Sequence, residues 1–229
     1  MKPIPSRIYS VEEAAKDRKT IIVVNEEIAR KAKPGQFIMV WIPEVDEIPM
    51  GLSYIEKKKI GFTVHKVGEA TNALHKMKKR DYVGIRGPYG TWFKKVEGKI
   101  LIVGGGTGIA PLMPLIRELS KNKKTELTII NGAKTAEELL FASELRGIAK
   151  DKQKKVIFTT DDGTEGIKAA ATEIAKELFE EQKYNECYVC GPEIMIKKMV
   201  EISKYYGVHM QASLERYMKC GIGICGSCI

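Results

Sequence analysis

The chain has 229 residues, 44% apolar and 29% charged, with a formal net charge of +9. That length holds one large or two ordinary domains with cores of their own, and the composition excludes a disordered or fibrous chain. The lysines that supply the charge are scattered among glutamates with no aromatic–basic motif, so they read as a solvated surface and not as a face for nucleic acid or membrane.

No secretory pattern opens the chain, and a cytoplasmic protein is expected. The uncharged run 100–116 holds four glycines and two prolines and is too short to span a bilayer. Residues 1–97 read as short strands. Runs 20–24, 36–42, 60–65 and 82–86 are rich in β-branched and aromatic residues. Turn residues bound them: Pro34 and Gly35, Pro49 to Gly51, Gly87 and Pro88. Such punctuation predicts a small antiparallel β-barrel, with a short helical piece over 72–77.

The grammar changes near Val96, Glu97 and Gly98. Short apolar runs at 100–103, 126–130, 155–159 and 187–190 alternate with helical patterns. One helix face carries Leu112, Leu115, Ile116 and Leu119; a second carries Ile167, Ala171, Ile174 and Leu178. A third carries Met195, Met199 and Ile202. Thr135 and Glu138 have capping-box spacing for the helix between. Strand–helix alternation predicts a doubly wound parallel sheet over 98–212, with ligands beyond the carboxyl ends of its strands.

Gly104, Gly105, Gly106, Thr107 and Gly108 fall between the first of these strands and a helix that has Pro111 near its start. Glycines there let a diphosphate approach backbone N–H groups at a helix N-terminus. The spacing is neither the usual dinucleotide fingerprint nor a P-loop, and a tight structural turn is the other reading. Cys187 and Cys190 are formally C-x-x-C, but on a strand they point to opposite faces, which argues against chelation and for two small buried residues. Cys190 ends its strand, followed by Gly191 and Pro192, at the ligand edge of the sheet. His65, His75 and His209 show no ligand spacing. Lys134, after the second strand, fits a 2′-phosphate or a solvated helix start equally.

Residues 213–229 form a third segment, in which Cys220, Cys225 and Cys228 are spaced C-x4-C-x2-C with glycines between. This is the spacing of plant-type [2Fe–2S] loops. A zinc-binding interaction module is the alternative from another class, although zinc sites use paired C-x-x-C units or histidines. A fourth cysteine is expected after Cys228. The chain as given stops at Ile229, which predicts a mobile loop and a poorly held cluster. Lys219 and Arg216 flank the loop, where positive charge favours the reduced, more anionic cluster.

Taken in order, these motifs resemble the ferredoxin reductase superfamily and, within it, the electron-transfer subunits of heteromeric dihydroorotate dehydrogenases. The ordered set adds Gln36 and Phe37, Tyr89 and Gly90, Asp161 to Gly163, and Ser213 to Glu215 to the runs above. The resemblance implies FAD between barrel and nucleotide domain, NAD(H) on the latter, and a [2Fe–2S] cluster on Cys220, Cys225 and Cys228. It places Met50 and Ser53 at the flavin, Thr63, Val64 and His65 along its strand, and Ala70 and Thr71 at a helix opening onto its diphosphate. Gly104 to Gly108, with Cys190, Gly191 and Pro192, would face the nicotinamide nucleotide.

Besides the fourth cysteine, two further departures stand out. Met50 and Gly51 replace the family's Arg-Pro, removing a charge-assisted hydrogen bond of about 1.5–3 kcal/mol. Ala70 replaces a glycine. The residues offer no acid–base set for an organic substrate, since hydride transfer needs alignment of cofactors. The implied partner is therefore an FMN-containing catalytic subunit acting in pyrimidine biosynthesis. The flavin subunit of a cytoplasmic hydrogenase, or an NAD(P)H–ferredoxin oxidoreductase, is the rival within the same motifs.

Overall fold

Six antiparallel strands pair in the N-terminal part: β1 (Ile4–Ala15), β2 (Arg18–Val24), β3 (Phe37–Ile42), β4 (Asp46–Ile55), β5 (Lys59–His65) and β6 (Tyr82–Tyr89). A computed structural model describes residues 2–228, so Ile229 and the expected end of the cysteine loop lie outside the described residues. The strands close in the order β1-β2-β5-β4-β3-β6, with β6 returning to β1. Closure removes the open edges that would otherwise template aggregation. Ile8, Ile21, Ile38, Leu52, Phe62, Val64 and Ile85 fill the interior, each at most 1% exposed. Two short helices accompany the barrel, α1 (Glu26–Lys31) and α2 (Glu69–Lys76). Asn25 caps α1: its Oδ1 accepts from the Ile28 N–H at 3.0 Å while its Nδ2 donates to Ser6 Oγ at 2.8 Å.

The sequence reading misses β1 and β4. Arg7, Glu12 and Glu13 interrupt the apolar alternation of β1. In β4, Pro49, Met50 and Gly51, read from sequence as a turn, lie within the strand and pair with Met39, Ile38 and Phe37. Proline is tolerated there because β5 does not pair with β4 until Leu52, so the other side of Pro49 has no ladder to interrupt.

The second unit, Phe93–Leu214, carries five strands: β7 (Gly98–Gly105), β8 (Thr125–Ala133), β9 (Lys154–Thr160), β10 (Glu186–Cys190) and β11 (Met210–Ser213). All pairings are parallel and the order is β11-β10-β7-β8-β9. Its helices are α3 (Ile109–Ser120), α4 (Ala142–Ile148), α5 (Ala171–Glu181) and α6 (Glu193–Tyr205). Leu101, Val103, Cys187 and Val189 pack with Ile174, Ala175 and Leu178 of α5 and Met199 of α6. The alternate residues Ile100, Ile102 and Tyr188 are also fully buried, so both faces of the sheet are covered.

Two sequence expectations fail here. Thr135 precedes a single 3-10 turn (Ala136–Glu138) and makes no side-chain cap bond. The Ala136 N–H instead bonds to Thr164 Oγ1 at 2.9 Å, so a loop contact takes the place of the capping box. Ile167 lies outside α5 and is 47% exposed. Its N–H bonds to the Phe158 carbonyl at 2.9 Å, which ties residues 163–167 to the edge of β9 and delays the helix to Ala171.

The remaining described residues, 215–228, group with the barrel unit and not with the parallel sheet that precedes them.

Removing the largest apolar side chain from the barrel interior should be costly. Phe62→Ala is expected to lower stability by about 3–5 kcal/mol, read as a shift of the urea midpoint. A loss below about 1 kcal/mol would show that the barrel interior is not packed around this ring.

Candidate functional site

The strand order of the second unit reverses between β7 and β10: from β7 the chain runs outward through β8 and β9, then returns to β10 on the other side. A crevice forms beyond the strand ends where the connections diverge in this way. Gly104 and Cys190 are register partners at that point. The sequence-predicted Gly104 to Gly108 and Cys190 to Pro192 thus come from adjacent strands of one sheet and end side by side.

The glycines divide into two kinds. A Cβ on Gly105 would fall 2.6 Å from Met195 Sδ, one on Gly104 would strike the side chain of Ile109, and one on Gly108 would strike the carbonyl of Cys190. These three serve close packing of turn, helix and neighbouring strand. Gly106 differs: its φ is +55°, and a Cβ there would meet nothing within 4 Å. Gly106 therefore presents backbone to open space one turn before α3, the arrangement by which an anionic group meets main-chain donors at a helix start. Cys190 is 1% exposed, so its side chain is enclosed. Burial pushes the Cys187 thiol far above its usual range, and as a neutral buried thiol it is inert.

In the barrel unit, Ser53 sits at a bulge of β4 where the pairing with β5 shifts between Leu52 and Tyr54. A bulge re-aims a side chain. Here it sets Ser53 Oγ to accept from Thr63 Oγ1 at 3.0 Å, with Thr20 Oγ1 3.0 Å from Thr63 on the other side. All three hydroxyls are buried, so Ser53, Thr63 and Thr20 form one chain across β4, β5 and β2. Val64 beside them is fully buried and offers its carbonyl to His75 Nε2 at 3.0 Å, which pins α2 to β5. Ala70 and Thr71 fall in the first turn of α2. Thr71 Oγ1 accepts from the N–H groups of Val67 (3.0 Å) and Gly68 (2.9 Å) and donates to the Gly68 carbonyl (2.9 Å). The threonine thereby builds the helix entrance itself. A Cβ on Gly68 would meet nothing within 4 Å, so this entrance is open. Asn72 Oδ1, one residue on, is buried without a partner, an acceptor that a ligand donor could satisfy. His65 ends β5, opposite Arg18. Met50 packs against the barrel core, so this position supplies no cation.

The cysteine loop lies on the same unit. Gly221, Gly223 and Gly226 all have positive φ, near +75°, which turns successive amides inward. The Ile222 N–H lies 3.4 Å from Cys220 Sγ, and Cys225 Sγ lies 3.3 Å from Ser227 Oγ. Backbone donors of Cys225, Ile222 and Ile224 hold the Cys220 thiol below its usual range. Hydrogen bonds from Ser227, and then from Cys220, lower Cys225 to about 6. This donor chemistry suits thiolate ligands. Cys228 does not join the other two: among the described residues no three His, Cys, Asp or Glu side chains stand together as a metal-holding group.

Arg86 and Glu47 are part of this surface and are missed by sequence reasoning. Arg86 donates through Nε and Nη2 to the two carboxylate oxygens of Glu47, at 2.7 and 2.5 Å, and through Nη2 to the Cys220 carbonyl at 3.2 Å. The one signal for it in the sequence is a charge at the end of the otherwise apolar run 82–86. Thr20 is missed too, because a threonine in a strand reads as β-propensity alone.

Residues 102–201 match the family model for the oxidoreductase NAD-binding domain. The chain is 45% identical over 227 residues to a protein of Methanocaldococcus jannaschii named probable dihydroorotate dehydrogenase B (NAD(+)), electron transfer subunit. That match covers 99% of this chain and 83% of the relative. A Pyrococcus abyssi protein of the same name is 44% identical over 195 residues, 85% of this chain and 72% of its own length. Among solved structures, an NADH-dependent reduced ferredoxin-NADP oxidoreductase superposes with a TM-score of 0.87 at 28% identity, over 97% of this chain and 80% of that one. The Amycolatopsis cytochrome P450 reductase GcoB, at 19% identity and TM-score 0.78 over 93% and 69%, shares the fold.

The two kinds of glycine give a paired test. Gly108→Ala, with φ of −63°, introduces no backbone strain but overpacks against Cys190, at about 1–3 kcal/mol. Gly106→Ala costs about 1–2 kcal/mol through left-handed backbone alone. Hydrogen exchange separates them: Gly108→Ala should loosen amides 189–191, whereas Gly106→Ala leaves them protected. Loosening in both, or in neither, contradicts the close-packing account.

Proposed function

This chain belongs to the family of electron transfer subunits of NAD(+)-dependent dihydroorotate dehydrogenase B, and on that footing we propose that it carries electrons between NAD(H) and a separate catalytic subunit. The partner in this reading is an FMN-containing dihydroorotate dehydrogenase of pyrimidine biosynthesis, and the compartment is the cytoplasm. No helix among the described residues is long and apolar enough to cross a membrane.

The observation that carries the proposal is the pairing of two features in one chain. A glycine turn stands at the switch point of a parallel sheet, and a loop of three cysteines packs on a barrel. When bound, FAD supplies the exchange between two-electron hydride chemistry and single-electron transfer, and a [2Fe–2S] cluster relays single electrons. The chain's own residues bind and orient. Gly106 and the start of α3 receive the nicotinamide nucleotide's diphosphate, while Gly104, Gly105 and Gly108 bring β7, β10, α3 and α6 close enough to wall the crevice. Cys190, Gly191 and Pro192 border the same crevice from β10. In the barrel unit, Ser53, Thr63, Val64 and His65 present the flavin-binding strands, and α2 offers its open entrance at Gly68, Ala70 and Thr71. Met50 leaves the flavin phosphate without a guanidinium at that position. Cys220 and Cys225 have the donor surroundings of thiolate ligands, and Cys228 would have to close on them for a cluster to be held. The residues named here bind and orient, and acid–base chemistry on dihydroorotate is assigned to the partner in this reading.

A second reading rests on the 28% identity to the NADH-dependent ferredoxin-NADP oxidoreductase, in which the electrons leave for a different acceptor.

Protein purified anaerobically is expected to contain flavin, iron and sulfide, and NADH should bleach its flavin absorbance. Recovery with a dihydroorotate-oxidising flavoprotein supports the first reading; recovery with a hydrogenase or a ferredoxin-linked partner supports the rival. Colourless protein carrying zinc and no flavin would overturn electron transfer altogether. Thr63→Val leaves the Ser53 and Thr20 hydroxyls without their shared partner, and should weaken FAD retention about tenfold, or ~1.4 kcal/mol, in an ultrafiltration assay.

A further inference from the structure

Cations that lie scattered in the sequence converge on one outer face of the barrel. Tyr82, Arg7, Val24 and Lys59 are register partners across the four adjacent strands β6, β1, β2 and β5. Their neighbours in sequence, Val83, Ile8, Val23 and Ile60, are buried in the barrel core, so the row itself points outward. Tyr9 joins it as the extra residue of a β-bulge: Ile8 pairs with Val23 and Ser10 with Ile22, which leaves Tyr9 no partner on β2. Lys59 Nζ lies 3.7 Å from the centre of the Tyr9 ring, and Lys79 Nζ lies 5.8 Å from it.

Lys79 is brought there by the backbone. The turn 78–81 is pinned to β1, with the Arg80 N–H donating to the Ile8 carbonyl at 2.9 Å and the Ile8 N–H to the Asp81 carbonyl at 2.8 Å. Arg80 takes a φ of +84° in this turn. Such a conformation is costly for a residue with a Cβ and persists where surrounding contacts fix it.

The resulting surface is both apolar and cationic. Tyr9, Val24 and Tyr82 are 45%, 37% and 58% exposed, with Arg7, Lys59 and Lys79 among them. The carboxylates of β1 are engaged elsewhere, Glu12 with Ser10 and Glu13 with Lys19, and the Asp81 carboxylate accepts from the Lys78 N–H. Exposed tyrosine and arginine are the side chains that anchor protein–protein interfaces. Single-stranded nucleic acid fits less well, because Lys59 already covers a face of the ring on which a base would stack. A second copy of this chain, itself carrying +9, is repelled.

Resting on the electron-transfer reading above, which gives the chain a separate catalytic subunit, we propose that Tyr82, Arg7, Tyr9, Val24, Lys59 and Lys79 form a docking surface for an acidic face of that subunit. The tyrosines and Val24 bury against it, and the three cations meet its carboxylates.

Titration calorimetry of the full chain with the FMN-containing catalytic subunit, at low and at high salt, tests the surface. Arg7→Glu and Lys59→Glu should weaken binding about tenfold or more at low salt, and the deficit should shrink at high salt, where exposed charges are screened. Tyr9→Ala should weaken binding about tenfold at both salts, and Tyr9→Phe, which keeps the ring, should bind as the parent does. Lys123→Glu makes the same change in net charge at an exposed site of the other unit, and should leave binding within about twofold of the parent.

A complex that every one of these variants forms as the parent does overturns the docking surface and leaves the electron-transfer reading standing. A parent chain that forms no complex with the subunit overturns both. Equal losses in Lys123→Glu and Arg7→Glu reduce the effect to net charge and overturn the surface. So does tighter binding of the parent to a single-stranded oligonucleotide or to phosphatidylserine vesicles, lost in Arg7→Glu, which assigns the face to another class of partner. Far-UV circular dichroism identifies a variant that has failed to fold, in which case Arg7→Gln, the milder change, decides in its place.

Discussion

Much of the second unit depends on how closely β7, β10, α3 and α6 approach at the point where the strand order reverses. The approach is set at backbone level: Gly108 faces the Cys190 carbonyl, Gly105 faces Met195, and Gly104 faces Ile109. Any side chain at these positions would hold the elements apart and widen the crevice. The parallel sheet must be covered on both faces, which α3 on one side and α5 and α6 on the other accomplish, so its only open ground is the strand ends. Close packing and ligand access thus follow from one constraint. Gly106 is the exception that keeps the turn open to solvent.

The barrel unit solves a different problem. A closed sheet has no free edge and no crevice of the switch-point kind, so its chemistry must come from bulges, helix entrances and what is laid upon its surface. The bulge at Ser53 threads three hydroxyls across three strands. The entrance to α2 is assembled by Thr71 from its own side chain. The cysteine loop is laid on β3 and β6 through Gly221 and Arg86. Each is a polar or backbone feature held in place by an apolar interior that contributes nothing else to the site.

The surface charge divides in a similar way. Many lysines and arginines pair with nearby carboxylates on exposed faces, as Lys31 does with Glu27 and Lys197 with Glu193. Such pairs contribute little to stability. The Arg86–Glu47 pair is different because it is half-buried and bidentate, and it also contacts a loop distant in sequence. Removing one partner there exposes the other in a place where water compensates poorly.

The fold class was legible because its signals are periodic: β-branched runs between turns, then apolar strands alternating with helical stripes. The glycine turn and the cysteine spacing were legible because each is local in sequence. What failed were places where a tertiary contact overrode a local preference. Pro49 and Gly51 read as a turn but sit in β4, since one side of that strand is unpaired. Thr135 has capping-box spacing but yields to Thr164, and Ile167 has helical spacing but is drawn to β9. By itself the sequence determined the architecture and the two local motifs, because each is encoded in residues near one another along the chain. Only the tertiary structure decided that Ser53, Thr63 and Thr20 share one hydroxyl chain, and that Arg86 and Glu47 clasp the loop at Cys220. Those contacts join strands dozens of residues apart, and no periodicity records which side chains a barrel will bring together.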